Sequence, residues 1–210
     1  MKGFLALFLG CTIAIACFAA PEPAVLQGPN EWTLDVVFEQ PQQIMVQLPG
    51  ENKAARYWYI ILSLTNRTGE DVSFYPKCEL MTDTFQIIPA GTAAMDEVFK
   101  RISIRHRGKY PFLESIERTS SRILQGRDNT RDVAIIWPDF DPKAKEVSLF
   151  IAGLSNETAA IDHPTEKDEQ GKPVRVLLRK TLELKYKISG DPAYRGAQRL
   201  TFVEKRWVMR

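Results

Sequence analysis

Tyr57-Trp58-Tyr59-Ile60-Ile61-Leu62-Ser63-Leu64-Thr65 decides the fold class. Trp58, Ile60, Leu62 and Leu64 fall on one face of this stretch, and Tyr57, Tyr59, Ser63 and Thr65 on the other. A period of two marks a β-strand, and aromatic and β-branched residues suit its pleated surface. The polar run Asn66-Arg67-Thr68-Gly69-Glu70-Asp71 then ends the strand as a turn.

The same period spreads in both directions. Upstream, Trp32, Leu34, Val36 and Phe38 alternate with Thr33, Asp35, Val37 and Glu39, and Ile44, Val46 and Leu48 repeat the pattern after a Pro-Gln turn. Downstream, residues 72–75 and 78–88 supply two more strands. Val133 to Trp137 is a continuous apolar run, as in a central strand, and Val147, Leu149 and Ile151 alternate after it. Residues 157–172 are polar and read as a long loop. The longest alternation is Val174, Val176, Leu178, Leu182, Leu184, Tyr186 and Ile188, interrupted at Lys180, where a bulge or strand end is expected. Gly190-Asp191-Pro192 turns the chain and residues 199–208 return, which makes a long C-terminal β-hairpin.

Residues 93–125 differ. Met95, Val98, Phe99 and Ile102 form one helical stripe. Asp96 and Glu97 stand in its first turn and Lys100, Arg101 and Arg105 later, as the helix dipole prefers. A second short helix is expected around 111–124, so the segment reads as a helical insertion. Eight or nine short strands separated by turns give a mainly β fold, an antiparallel sandwich. Its expected core is Trp58, Ile60, Leu62, Val133, Ile135, Leu149, Leu178, Leu182 and Leu184.

The strand ending in Thr65-Asn66 with its polar turn resembles exported bacterial immunoglobulin-like domains of unknown function. So does the block from Leu124-Gln125-Gly126 through Val133-Ala134-Ile135-Ile136-Trp137-Pro138. The resemblance covers residues 30–155. It implies an immunoglobulin-like sandwich and an envelope location, and it brings no site residues with it. The insertion and the long hairpin depart from the compact pattern.

The N-terminus reads as an export signal over residues 1–19. Lys2 precedes an uncharged run over residues 3–16, too short for a spanning helix. Cleavage after Ala19 fits small-residue rules. Cleavage after Ala16 leaves Cys17 first, as in a lipoprotein signal, although Ala14-Ile15-Ala16-Cys17 lacks the usual Leu, and Cys11 follows too short a run. Residues 20–30, with Pro21, Pro23, Gly28 and Pro29, read as a tether, and 31–210 as a single sandwich domain. The expected location is the periplasm or cell envelope, with membrane attachment only through lipid on Cys17.

Chemistry is sparse. The chain has 28 basic and 26 acidic side chains, a balance that gives no reason to expect nucleic-acid binding. His106 and His163 have no metal spacing, and nucleophile-elbow and phosphate-loop motifs are missing, so no cofactor and no catalytic residue is expected. Asp128, Asp132, Asp139 and Asp141 read as solvated turn residues, and Cys78 as a buried thiol or an intermolecular disulfide partner. Arg175, Arg179, Lys185 and Lys187 share the strand face opposite the Leu row, with Lys205 returning beside them. That face reads either as solvation that keeps a long strand from aggregating or as a surface for an anionic envelope component or protein. The sequence as a whole reads as a non-catalytic exported binding or assembly module. The alternative is an exported hydrolase whose active site assembles only in the fold.

Overall fold

A computed structural model describes residues 24–26, 31–91, 95–119 and 121–210. The expected signal, with Lys2, Cys11 and Cys17, and most of the expected tether lie outside the described residues. In chain order the strands are β1 (Ala24–Leu26), β2 (Asp35–Phe38), β3 (Gln42–Val46), β4 (Ala55–Asn66), β5 (Val72–Ser73), β6 (Lys77–Thr82) and β7 (Ile87–Pro89). The helix α1 (Met95–His106) follows. Then come β8 (Glu114–Ser115), β9 (Arg122–Ile123), β10 (Gly126–Pro138), β11 (Glu146–Ala152), β12 (Thr158–Lys167), β13 (Pro173–Ser189) and β14 (Arg199–Met209).

The protein is mainly β, with several antiparallel sheets in an arrangement consistent with a β-sandwich. One sheet runs β2-β4-β10-β8 with β3 also on β4, a second runs β1-β12-β13-β11-β6-β7 with β14 also on β13, and β5 and β9 form a third of two strands. The β10–β8 pair is parallel. Trp58, Ile60, Leu62 and Leu64 of β4 and Val133, Ile135 and Trp137 of β10 meet Leu80, Leu149, Leu182 and Leu184 of the second sheet in the main core. The other face of the first sheet is buried too. Tyr57, Tyr59 and Ile61, with Ile44, Val46, Ala134 and Ile136, pack under Met95, Val98 and Ile102 of α1. Two covered faces explain why Val133 to Trp137 is apolar at every position. Among the described residues no helix is long and apolar enough to cross a membrane.

Five expectations need correction. Residues 111–124 do not form a second helix: they hold β8, one 3-10 turn at Ile116–Arg118 and β9. Their apolar residues serve different cores, Leu113 the one under α1, Ile116 and Ile123 the main one. The polar stretch 157–172 is no loop, because Thr158–Lys167 is β12, paired with β13. Lys180 interrupts nothing. β13 runs through it, and its ammonium meets the Glu157 carboxylate and sits 5.3 Å from the Trp207 ring. Leu178 is only partly buried, whereas the other eight expected core residues are buried. Ala24–Leu26, inside the expected tether, pairs with β12.

Candidate functional site

Arg175, Arg179, Lys185 and Lys187 do share one face, the outer side of the second sheet, since the even residues of β13 face the core. Lys205 does not join them. The pairing of β13 with β14 shifts between Lys185 and Tyr186, and one extra residue on β14 reverses which side chains point inward. Lys205 therefore stands opposite Leu184, with its ammonium 3.4 Å from the Val36 carbonyl and over the Phe38 ring. Glu204 and Arg206 take the outer face instead. There Lys185 pairs with Glu146 at 2.7 Å, Arg206 with Glu183 at 2.6 Å and Arg210 with Glu79 at 2.9 Å. Arg175 lies across from Asp162, and Lys187 across from Glu146. The face interleaves both signs of charge.

Glu183 is the buried member of that face. Burial opposes its ionisation, but hydrogen bonds from Arg206 and Ser148 outweigh burial and hold its carboxyl below the ordinary glutamate value of 4.5. A carboxyl lowered in the folded state stabilises it above the unfolded pKa, and that contribution fades as pH falls through the folded one. Glu183→Gln is therefore expected to lower the melting temperature at pH 7 and to lose less than the parent between pH 4.5 and lower pH. Melting curves at pH 7 and pH 3 check this. Parallel losses in both proteins would contradict it.

A further concavity lies elsewhere. A cleft of about 510 Å³ opens between the Gln40–Pro41 corner that leads into β3, the last turn of α1 and the 3-10 turn Pro192–Ala197 ahead of β14. Trp58, Gln43, Gln198 and Leu200 line its deeper part, and the exposed Arg105 and Arg199 stand at its rim.

One hydrogen-bond network holds the wall near Gln198. Asp139 Oδ1 accepts from Trp58 Nε1 at 2.8 Å and from Arg195 Nη2 at 2.9 Å, and Arg56 Nε lies 3.5 Å from Oδ2. The Arg195 guanidinium lies 4.3 Å from the Phe140 ring centroid and 5.7 Å from that of Trp58, within cation–π range. Gln43 accepts from Arg56 and donates to the carbonyls of Gly196 at 2.8 Å and Gln198 at 3.0 Å. These bonds fasten the 192–198 segment onto β3 and β4.

A second network holds the wall at α1. Tyr59 Oη is 2.9 Å from His106 Nε2 and donates to Gln42 Oε1 at 3.0 Å, while Arg105 Nη1 lies 3.3 Å from both Tyr59 Oη and the Gln43 carbonyl. Burial and the neighbouring Arg105 charge hold His106 below the usual imidazole range, against the attraction of Glu39. Burial pushes the Tyr59 phenol up, opposed by the Arg105 hydrogen bond. Glu39 is engaged by Lys109 and by Tyr110 Oη at 2.5 Å, and those hydrogen bonds lower its carboxyl.

The charge that lines the cleft is one-sided. Arg105 and Arg199 are the charged residues that line it, while Arg56 and Arg195 are paired with Asp139 and Glu39 is engaged by Lys109 and Tyr110. Such a concavity concentrates anions. Tyr59, the hydroxyl beside His106, is 1% exposed, and His163 Nδ1 accepts the Glu166 N–H at 2.9 Å inside its own turn. Cys78 is buried, and burial, reinforced by Glu117 and Glu79, raises its thiol. Among the described residues no three His, Cys, Asp or Glu side chains converge as a metal site needs.

No family model matches the chain, and neither does any curated protein or solved structure. The cleft residues carry no local sequence signal: Gln43 and Gln198 meet across 155 positions. Asp139 stood out in the sequence only as a turn residue. The one clue is its place between Trp137 and Phe140, which puts a carboxylate among buried aromatics.

Proposed function

We propose that the chain is a non-catalytic exported envelope protein, a binding or assembly module on an immunoglobulin-like sandwich with a helical insertion, and that it binds through the cleft edged by Arg105 and Arg199. The observation that carries this reading is that the two charged residues lining a concavity of about 510 Å³, Arg105 and Arg199, are both basic. The partner is an anionic envelope component or protein, with no cofactor and no nucleic acid. Export rests on Lys2 and the apolar residues behind it. The outer sheet face, with its interleaved ion pairs, is the weaker anion site.

Two measurements test this. Mass spectrometry of the protein recovered from an expressing bacterium should find a chain beginning at Cys17 or Ala20, and an intact Met1 would sink the export reading. A diacylglycerol adduct on Cys17 would make the protein lipid-anchored. On a sulfated polysaccharide, retention at low salt should be lost in Arg105→Gln/Arg199→Gln and kept in Arg175→Gln/Arg179→Gln/Lys187→Gln, and it should fall as salt rises. The reverse pattern would return the site to the outer sheet face.

A further inference from the structure

The cleft continues into a second depression. Gln40, Pro41, Gln42 and Gln43 line the first, and Ile44, Met45, Val46 and Gln47 line a neighbouring groove of about 530 Å³ with Ala54, Arg101 and Ile104. Arg105 lines both. Eight consecutive residues, 40–47, thus form the side of one trough beside α1.

The backbone along this trough is an open strand edge. Glu39 N–H donates to the Ile61 carbonyl and Asp139 N–H to the Arg56 carbonyl. Odd residues of β4 therefore bond toward β2 and β3, and even residues toward β10. Tyr59 and Tyr57 pair with Gln42 and Ile44, so the backbone groups of Gln43 and Met45 point away from the sheet. Arg105 meets the Gln43 carbonyl at 3.3 Å. Met45, 54% exposed, has no backbone partner on that side among the described residues. Natural edge strands are usually blunted by charge, yet β3 contains none.

We infer that β3 accepts an extended acidic polypeptide segment of a partner protein as an added strand, seated in the trough between β3 and α1. This rests on the cleft being the binding site and narrows its partner to a peptide. Main-chain bonds to Met45 supply the pairing, as in other strand additions. Alternate side chains of the added strand face α1, where Arg101, Arg105 and the 69% exposed Ile104 await them. The charged residues of both linings are Arg101, Arg105 and Arg199, and none is acidic. Arg101 holds Glu97 at 3.5 Å, an exposed pair that a better-placed carboxylate replaces at little cost. Eight extended residues span roughly 26 Å, enough to follow the trough from end to end.

The test uses the mature chain and a blocked eight-residue peptide of alternating Glu and Val. It is compared with a Lys-for-Glu version and with one N-methylated at alternate residues. The acidic peptide should slow hydrogen exchange at the Met45 amide and bind at least tenfold more tightly than either control. Met45→Pro should abolish binding while melting close to wild type, because proline on an outward-facing edge position removes no sheet bond. Should that variant fail to fold, the N-methylated peptide asks the same question. If inorganic phosphate shifts resonances around Arg105 and Arg199 while the acidic peptide leaves Met45 unprotected, strand addition is wrong and the cleft reading stands. If neither probe acts there, both are wrong.

Discussion

Leu182→Ala is expected to destabilise the protein by about 2–5 kcal/mol, the cost of leaving a cavity where a buried leucine stood. Leu182 is 0% exposed and lies between Ile151 of β11 and Trp207 of β14 on the core side of β13. Leu178→Ala, four residues earlier on the same side, should cost clearly less. There β13 has run beyond β11 and pairs with β12, and Leu178 keeps contact with solvent. Leu177→Ala on the exposed face should change little. Urea midpoints at constant slope measure all three. Equal losses at 178 and 182 would contradict the assigned edge of the core.

Asp139→Ala carries the second large effect. The carboxylate serves Trp58 Nε1, Arg195 Nη2 and the Phe140 N–H through Oδ1, and Arg56 through Oδ2. Removing it leaves Arg195 and Arg56, both largely buried, facing each other's field without a counter-charge. Breaking a buried ion pair on one side typically costs about 3–5 kcal/mol. The Asp139 side chain is 33% exposed, which lets water screen part of the loss, so about 3 kcal/mol or slightly less is expected. Asp139→Asn, which keeps an acceptor for Trp58, should fall between. Hydrogen exchange should quicken over residues 192–198 in both variants, because that segment is tied down through Arg195 and Gln198. Unchanged exchange there would mean that the 3-10 turn is held by other contacts.

Much of the fold was legible because one buried face imprints a period of two. β4, β10, β11 and the second half of β13 all carry it, and each packs against the opposite sheet. The misread segments lack that imprint for physical reasons. β12 runs from Ala159 and Ala160, which are buried, into Pro164, Glu166 and Lys167, which are exposed. With no covered face in its outer half, nothing forced an alternation, so it looked like a loop. Residues 113, 116 and 123 mimic a helical stripe, but the chain there crosses from one core to the other and no single helix face reaches both. Lys180 seemed out of place only because Glu157 and Thr33, its partners, come from distant parts of the chain.

The candidate site was the least legible. Lys205 was misplaced because the extra residue on β14 reverses its side, and a bulge in a strand of this composition leaves no mark in the pattern. Arg105 was visible only as a last-turn cation suited to the helix dipole. Arg199, Gln43 and Gln198 had no distinguishing context, since their meaning arises where four separate segments meet. Arg175, Arg179, Lys185 and Lys187 do share a strand face, but Glu146, Glu79 and Asp162 from β11, β6 and β12 stand among those cations on the sheet.

Where an anion binds is the most direct question to put to the molecule. Heteronuclear NMR of the protein titrated with a short sulfated oligosaccharide answers it residue by residue. The cleft account predicts shifts concentrated at residues 40–47, Arg105 and 196–200, fading as salt rises. Shifts concentrated instead at Arg175, Arg179 and Lys187, with residues 40–47 and 196–200 unmoved, would contradict it.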